Sequence, residues 1–400
     1  MHNLTKISVF RILLRISYPF ALVLVYPFSL IRKKNPTGLF FFFDRYCLGG
    51  AQRVHLDILE ATGTTYKQVY FTRLSPDMLL KGAFWKVPNA LNSDIHFWTD
   101  NLLFRLFSVH YFAFYINRHP GARVLGANST FFYDLLPWLD GEKVERLELL
   151  HNFTFGKNGM EFFGLANHRF LEQRLLIDPV TRNRIVEQYK AYDVDPAFNS
   201  RLRVIEFGVT IPAPVKRSAR IPLKVLYAGR GGPQKRIYLI NRIAERAMEE
   251  GLKLEFHFAG TMMEELTDSV RMNAVLHGQI ESQEEMYRLY RETDILLMTS
   301  AYEGFPVSIK EAMANGCVPL VTALEGNKIH LEDGENAVLI DAIDDEEAVV
   351  EEGLEALRNL CASPEILSKL SENAVHYARK HFSKDQFMNA YRTILVESTK

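Results

Sequence analysis

The stretch Lys224–Lys235 (KVLYAGRGGPQK) joins an apolar run to a glycine-rich turn. Lys224–Ala228 has the length and side chains of a buried strand, and the turn begins at Gly229. Glycines let backbone N–H groups approach an anion, a following helix adds partial positive charge, and Arg230 and Lys235 supply two cations. The stretch predicts a strand, a diphosphate-binding turn and a helix. An ordinary turn with two solvated cations is the alternative.

Strands and helices alternate on both sides of this turn. The helix Tyr238–Glu250 and the strand Leu254–Ala259 follow it, and a further strand is predicted at Asp294–Thr299. Far upstream, the apolar run Gly38–Phe43 (GLFFFF) and a helix over Ala51–Glu60 open a similar unit. This alternation predicts an α/β protein with parallel, doubly wound sheets, which bind ligands at the carboxyl ends of their strands.

Four segments follow from these patterns. The alternation breaks at Ile211–Pro222, where three prolines and three basic residues leave no periodic apolar face. The predicted segments are an amino-terminal extension (1–36), two Rossmann-like lobes with a cleft between them (37–213 and 214–382), and a C-terminal helix (383–400) that packs back on the first lobe.

The segment Tyr302–Gly316 (YEGFPVSIKEAMANG) contains two carboxylates. Pro306 suits the first turn of a helix and Gly316 its far cap, so Glu303 is predicted in the preceding loop and Glu311 on the helix. Because a helix rises ~1.5 Å per residue, they lie too far apart for a glycosidase pair. They are expected to bind two different parts of one elongated ligand.

Three motifs together resemble a known family. GRGGPQK, EGFPVSIKEAMANG with its Glu-x7-Glu spacing, and LGGAQRV at Leu48–Val54 look like the retaining GT-B glycosyltransferases of the family-4 type, also called group 1 glycosyl transferases. The resemblance covers roughly residues 38–400 and is strongest over Gly229–Ile340. It implies two Rossmann-like lobes facing a cleft, with the nucleotide sugar in the carboxyl-terminal lobe and the acceptor in the amino-terminal lobe.

The resemblance implies roles for residues of both lobes. In the carboxyl-terminal lobe, the diphosphate would be bound by Arg230 and Lys235, the ribose hydroxyls by Glu311, and the transferred sugar by Glu303. Backbone groups for the donor would come from Gly229, Gly304 and Phe305.

In the amino-terminal lobe, the resemblance implies that Gly49 and Gly50 form a loop closing over the phosphates. His151, directly after Leu147–Leu150 (LELL), would contact the donor sugar and join Glu303, Arg230 and Lys235 in the catalytic set. A purely structural histidine is the alternative at this position.

Some positions depart from the family pattern. Arg236 stands where a glycine usually follows the lysine. After the strand Pro319–Thr322, the usual glycine pair and acidic residue are represented by Gly326, Asn327 and His330. These departures leave the identity of the donor open, and reduced activity is an alternative.

The pair Asp193 and Asp195 matches the DxD pattern that binds a metal in another glycosyltransferase fold. It lies in a polar stretch just before the strand Leu202–Ile205, which predicts a solvated turn. No metal and no cofactor are expected, since the UDP- or GDP-linked sugar is a substrate.

The amino-terminal end is cationic, with six basic and no acidic residues over residues 1–43. Ile16–Ile31 is an uncharged run of 16 residues with two prolines, shorter than the ~20 that cross a bilayer. Basic residues follow it where a signal peptide needs small ones. The pattern predicts membrane-surface contact through residues 7–34, and a hairpin packed on the protein's own core is the alternative.

Composition excludes several classes. With 47 basic and 48 acidic residues the net charge is −1, so no nucleic-acid partner is expected. The chain is 48% hydrophobic and 24% charged, which is typical of globular proteins. Three scattered cysteines favour a reducing compartment, so we expect the cytoplasm, with attachment to the inner face of the plasma membrane.

The predicted function is retaining, metal-independent transfer from a nucleotide diphosphate sugar to a glycan or lipid-linked acceptor, in cell-surface polysaccharide biosynthesis. A sugar-nucleotide epimerase or a phosphorylase of the same fold is one alternative. An inactive membrane-bound scaffold is another.

Overall fold

The computed structural model of the 400-residue chain describes residues 2–151, 153, 159–213, 220–261 and 263–397, with side chains from Ile7 onward. It divides into unit one, Met1–Glu206 with Phe387–Lys400, and unit two, Phe207–Gln386. The boundary lies a few residues before the predicted one at 213/214. Residues 214–219 of the predicted linker Ile211–Pro222 lie outside the described residues.

Unit one contains a parallel sheet of seven strands. The strands are β1 (Leu39–Phe43), β2 (Lys67–Phe71), β3 (Ala90–Asp94), β4 (Ala122–Ala127), β5 (Val144–Leu150), β6 (Gln173–Leu176) and β7 (Leu202–Val204). Their order is β3-β2-β1-β4-β5-β6-β7, so the order turns at β1. Every residue of β1 is buried, because helices cover both faces of the sheet, and this explains its continuous apolar run.

The helices of unit one flank this sheet. They are α1 (His2–Leu24), α2 (Tyr26–Ile31), α3 (Gly50–Ala61), α4 (Lys81–Lys86), α5 (His96–Asp100), α6 (Leu102–Ile116), α7 (Thr130–Leu135), α8 (Met160–Asn167) and α9 (Pro179–Ala191). Aromatic side chains such as Phe42, Phe112 and Phe131 form much of the core. Asp195 caps a short 3₁₀ helix by accepting from the Ala197 N–H, so this aspartate ends a turn.

The N-terminal helix differs from the sequence prediction. The two prolines of the apolar run were expected to interrupt it, but α1 continues through Pro19 to Leu24. Buried side chains on both sides of the proline, Leu14, Ser17 and Ala21, hold the helix on unit one despite the lost backbone hydrogen bond. By length and composition alone, Ile7–Leu24, with a mean hydropathy of 1.7, could cross a membrane, and 22% of it is buried.

Unit two contains a parallel sheet of six strands. The strands are β8 (Leu223–Gly229), β9 (Leu254–Gly260), β10 (Val275–Gly278), β11 (Ile295–Met298), β12 (Val318–Thr322) and β13 (Val338–Ile340). Their order is β10-β9-β8-β11-β12-β13, and it turns at β8. Together the two doubly wound sheets confirm the predicted α/β class.

The helices of unit two lie near their predicted positions. They are α10 (Ile237–Glu249), α11 (Asp268–Asn273), α12 (Gln283–Glu292), α13 (Val307–Ala314), α14 (Glu325–Lys328), α15 (Glu346–Ala362) and α16 (Pro364–His381). Ser282 caps α12 by accepting from the Glu285 N–H at 3.3 Å. Pro306 is the N-cap of α13 and not part of its first turn.

The last helix, α17 (Lys384–Arg392), begins in unit two, and its residues from Phe387 belong to unit one. Within unit one, the Arg392 Nε donates to the Ala61 carbonyl oxygen at the end of α3, at 3.2 Å. This contact fixes the end of α17 to the layer of helices that covers β1.

Candidate functional site

The point where the strand order of unit two turns lies between β8 and β11. Ligands of doubly wound sheets bind outside the carboxyl ends of the strands at such a point. The β8–α10 loop carries Arg230 and Lys235, and the β11–α13 loop carries Glu303, Gly304 and Phe305. The structure therefore brings the two strongest sequence motifs to the same edge of one sheet.

Backbone and side-chain bonds tie these two loops together. The Gln234 carbonyl accepts from the Ala301 N–H at 2.8 Å, and the Gln234 side chain donates to the Tyr302 carbonyl at 2.7 Å. Next to this tie, the Lys235 ammonium and the Glu303 carboxylate form an ion pair, with each side chain 15% exposed. Each charge thus holds the other in a defined position at the mouth of the site.

The glycine-rich turn is held in place and leaves its arginine accessible. The Tyr227 hydroxyl donates to the Arg230 carbonyl at 2.6 Å, and the Gly232 N–H donates to Glu265 Oε1 at 2.6 Å. Gly232 has φ +116°, where a side chain would be strained. Within the described part of the chain, the exposed Arg230 guanidinium makes no hydrogen bond or ion pair, so it can bind an incoming anion.

Arg236, noted in the sequence only as a departure, organises the base of the site. Its backbone is left-handed, with φ +51°, which explains why a glycine suits this position in the family. The buried guanidinium donates to the carbonyls of Thr299 at 2.6 Å, Ser300 at 3.2 Å and Ile343 at 2.6 Å. These bonds join the β8–α10 loop to the carboxyl ends of β11 and β13.

Two substitutions of Arg236 separate the contribution of its hydrogen bonds from the cost of its left-handed backbone. Arg236→Ala loses the three hydrogen bonds and keeps the left-handed strain, while Arg236→Gly loses the bonds and relieves the strain. Both variants should be less stable than the wild type by at least about 2 kcal/mol, since bonds from a charged donor to buried carbonyls are lost. The free energy of unfolding of the glycine variant should exceed that of the alanine variant by about 1 kcal/mol, because the glycine variant has no left-handed strain. Urea denaturation measures both differences, and equal stability of the two variants would refute the strain.

Glu311 contacts different residues from those that Glu303 contacts. It is on α13, where its carboxylate accepts a hydrogen bond from the buried Tyr290 hydroxyl. Burial, followed by the negative charge of Glu311, raises the pKa of Tyr287 to about 12. The two carboxylates of the Glu-x7-Glu motif therefore have different neighbours, and their binding to two parts of one ligand stays a prediction.

The residues that depart from the family pattern pack inside unit two. A Cβ at Gly326 would lie 1.8 Å from the Gly304 carbonyl oxygen, so this glycine allows the β12–α14 turn to touch the β11–α13 loop. Asn327 donates to the Thr322 carbonyl at 2.8 Å. His330 packs against the Phe305 ring, with ring centroids 4.5 Å apart. These side chains support the loop from behind.

In unit one, the predicted residues lie at the carboxyl ends of β1 and β5. Gly49 is the N-cap of α3, and Gly50 is its first residue, with open space where a Cβ would be. His151 follows β5 directly, as the strand pattern predicted, and the structure shows that it is buried. The helix that begins at Gly50 also brings a second histidine, His55, to His151.

His55 and His151 form a buried pair that sequence reasoning missed. Their Nε2 atoms are 2.8 Å apart, and the His55 ring stacks on Phe43 with centroids 4.1 Å apart and an interplanar angle of 2°. Burial lowers the pKa of His151 to about 4; burial and the neighbouring His151 lower that of His55 well below 6.5. Both imidazoles are therefore neutral at neutral pH.

The neutral pair has one favoured arrangement of protons. Only one of the two Nε2 atoms can carry the shared hydrogen. His55 Nδ1 is buried without a partner among the described residues, and an orphaned N–H there would cost more than an orphaned lone pair. His55 therefore donates from Nε2, and His151 carries its own proton on Nδ1, where it is a hydrogen-bond donor.

This pair should make the chain sensitive to acid. Because the native pKa of His151 is about 4 against an ordinary 6.5, the unfolded state binds a proton between these values and the native state does not. The free energy of unfolding should therefore fall as the pH falls, by on the order of 2 kcal/mol between pH 6.5 and 5. Urea denaturation of the wild type and His151→Asn across this range measures the difference.

The wild type should take up one more proton on unfolding than His151→Asn. Equal pH dependence of the two proteins would contradict the buried neutral state. Nitrogen-15 NMR of histidine-labelled protein at pH 7 provides an independent check. It should place the protons on Nε2 of His55 and on Nδ1 of His151, and the reverse assignment would contradict the argument from the orphaned atom.

The comparisons with known proteins agree with this geometry. Residues 222–359 match the family model of glycosyl transferases group 1. Over 112 residues the chain is 31% identical to the trehalose synthase of Pyrococcus horikoshii, a match that covers 28% of this chain and 25% of the synthase. The chain thus matches about a quarter of the length of this relative.

Two solved structures match the chain over most of its length. HepE of Anabaena, solved in complex with UDP, has a TM-score of 0.69 at 12% identity and covers 90% of this chain and 100% of its own. The lipopolysaccharide outer core galactosyltransferase WaaB has a TM-score of 0.65 at 17% identity, with 90% and 99% covered. At these identities the likeness concerns the fold.

The fold is therefore GT-B, with two Rossmann-like parallel sheets. The segment 222–359, which matches the model of the group 1 glycosyl transferases, contains Arg230, Lys235, Glu303 and Glu311. The resemblance stated from the sequence motifs is confirmed at this level.

Proposed function

We propose that this chain transfers a sugar from a nucleotide diphosphate sugar to an acceptor hydroxyl, with retention of the anomeric configuration and without a metal ion. The observation that carries the proposal is the Lys235–Glu303 ion pair, which lies beside the accessible Arg230 at the turning point of the sheet. The match of residues 222–359 to the model of the group 1 glycosyl transferases supports the same reaction.

Arg230 and Lys235 are proposed to stabilise the leaving diphosphate. Negative charge grows on that group as the bond to the sugar breaks, and cations already in position lower the barrier without reorganising. Lys235 is held in place by Glu303, and the turn that carries Arg230 is fixed by Tyr227 and Glu265. These two cations would do without a metal ion what a bound Mg²⁺ does in other transferases.

Glu303 and Glu311 are proposed to orient the donor. Glu303 would accept from hydroxyls of the transferred sugar, and Glu311 from those of the ribose. Their different neighbours, Lys235 for Glu303 and Tyr290 for Glu311, favour contacts with separate parts of one ligand. Gly229, Gly304 and Phe305 would add backbone contacts.

In unit one, Gly49, Gly50 and His151 are proposed to complete the donor site. The amides at the start of α3 suit a phosphate, since a helix N-terminus carries partial positive charge. The Nδ1 proton of His151 suits a sugar oxygen. The acceptor hydroxyl would attack the face from which the diphosphate departs, with its proton passing to a donor phosphate oxygen.

UDP is the proposed nucleotide of the donor, since HepE was solved in complex with UDP, and GDP is the alternative. The acceptor is proposed to be a glycan or a lipid-linked intermediate of cell-surface polysaccharide synthesis. WaaB, a galactosyltransferase of lipopolysaccharide, has the same fold. A cytoplasmic location with contact to the inner membrane face through residues 7–34 would place the enzyme near such an acceptor.

Calorimetric titration with UDP and GDP, followed by turnover measurements, tests the donor site. UDP should bind the wild type, and Arg230→Ala or Lys235→Ala should reduce turnover by at least about 100-fold, because each removes a preorganised cation. Lys253→Ala is the matched control, since Lys253 is an exposed cation of unit two at the opposite end of β9. It should turn over like the wild type.

The products separate this reaction from its alternatives. Proton NMR of the product should show the anomeric configuration of the donor in a bond to the acceptor. An altered free sugar or a sugar phosphate without acceptor would identify an epimerase or a phosphorylase. A chain that binds neither UDP nor GDP would be a scaffold, and unchanged turnover in both cation variants would reject the assigned site.

A further inference from the structure

A cationic cavity lies in unit one, away from the residues discussed so far. It has a volume of about 580 Å³ and is bounded by α1, by residues shortly after α7, and by the end of α8 with the residues after it. The lining residues are Arg11, Arg15, Pro137, Trp138, Leu165, Ala166, His168, Arg169 and Phe170. Three of them are arginines and none is a carboxylate.

The three arginines have different environments. Arg11 donates to the Ala166 carbonyl at 2.9 Å and to Asn167 Oδ1 at 2.8 Å, so it fixes α1 to the end of α8. Arg15 and Arg169 are exposed and form no hydrogen bond or ion pair within the described residues. The cavity therefore has one anchored cation and two that are available to a ligand.

None of the residues that line the cavity is an acid. The negative charge of Asp134 acts on Arg11 and raises its pKa. Asp134 is itself paired with Arg105, whose Nε donates to Asp134 Oδ2 at 2.8 Å. Burial lowers the pKa of Arg11, and the positive charges of Arg169 and Arg15 lower it further against the effect of Asp134. A net positive potential thus remains in the cavity, and an anion would relieve it.

The helix that carries Arg11 and Arg15 also carries an exposed apolar stripe. Ile12 and Ile16 are 55% and 60% exposed, and Phe20 continues the stripe one turn further. Leu14 and Ala21, on the opposite side, are buried in unit one. The two arginines, four residues apart, lie on the boundary between these faces.

We infer that this cavity binds the phosphate group of an anionic lipid while the exposed stripe of α1 lies in the membrane surface. The inference extends the membrane contact proposed above to a defined site and ligand class. Guanidinium groups bind phosphate oxygens in pairs, and Trp138, Leu165 and Phe170 offer an apolar wall to the lipid chain beside it.

The arrangement fits a helix that lies in the surface. Interfacial helices bury an apolar face to the depth of the headgroups and carry basic residues along its border. On α1 the border is occupied by Arg11 and Arg15, and the cavity opens beside them. Charge complementarity thus selects an anionic membrane as the occupant of the exposed stripe.

Cosedimentation of the full chain with vesicles tests the inference. The vesicles contain phosphatidylcholine alone or with phosphatidylglycerol. Arg15→Gln with Arg169→Gln should reduce partitioning onto the anionic vesicles by at least about 25-fold, about fivefold for each arginine. Arg15→Lys with Arg169→Lys keeps the charge and loses the paired geometry, so it should still lose several-fold. Both arginines are exposed, so these variants should fold normally, which thermal unfolding verifies.

Two controls make the result decisive. Lys33→Gln with Lys34→Gln removes the same charge outside the cavity and should have a smaller effect than the arginine pair. Equal losses of vesicle binding in the Arg→Gln and Lys→Gln pairs would mean that the basic residues attract the membrane without a defined site. Unchanged binding in the Arg→Lys pair would mean the same, and either result would overturn the site. Inorganic phosphate at constant ionic strength should not release the protein; release would make free phosphate the ligand and overturn the lipid assignment.

The apolar stripe has its own variant. Ile12→Gln with Ile16→Gln should weaken binding to all vesicles, and unchanged binding would overturn the contact of α1 with the membrane. Calorimetry with UDP on the same preparations keeps the two proposals apart. Failure of the wild type to bind UDP would count against the donor site. The vesicle result tests only the cavity and α1.

Discussion

The tie between the loops after β8 and β11 is the constraint on which the proposed chemistry depends. Two loops at the end of a sheet would normally be mobile. Here Gln234 bonds to the opposite loop, and Arg236 bonds to Thr299 and Ser300 beneath it. The left-handed backbone of Arg236 is the conformational cost of this arrangement. The ion pair between Lys235 and Glu303 then forms on a rigid base.

The candidate residues of the two units differ in their electrostatics. Unit two offers the exposed Arg230 and a Lys235 held in position by Glu303, which suits a diphosphate that gains charge. Unit one contains the buried pair of His55 and His151, which burial keeps neutral, so that the pair adds no positive charge at the carboxyl ends of its strands. The same unit carries its cations elsewhere, at the border of α1, where the proposed partner is the membrane.

The sequence allowed much of the fold to be predicted, because buried parallel strands have continuous apolar runs and their helices have periodic ones. The strand before Arg230 and the helix that follows the glycine-rich turn are examples. The course of α1 through Pro19 was missed, because packing on both sides of the proline outweighs a lost hydrogen bond. Local patterns contain no information on such packing.

In the candidate site, too, the sequence shows local motifs and does not show contacts between residues distant in the chain. Motif spacing identified Lys235 and Glu303, but their ion pair depends on which strands are neighbours in the sheet. Arg236 could only be seen as a departure, since its hydrogen-bond partners are distant in the chain. His55 had no signal in the sequence, because its meeting with His151 requires α3 and β5 to be adjacent.

The central claim is that the nucleotide diphosphate is held by the tied loops of unit two. Hydrogen–deuterium exchange of the full chain with and without UDP tests it most directly. Slower exchange is predicted in the peptides that cover 229–236 and 299–311, with no comparable change at the amino-terminal ends of β8 and β11. Slower exchange confined to other parts of unit two, or none at saturating UDP, would contradict the account.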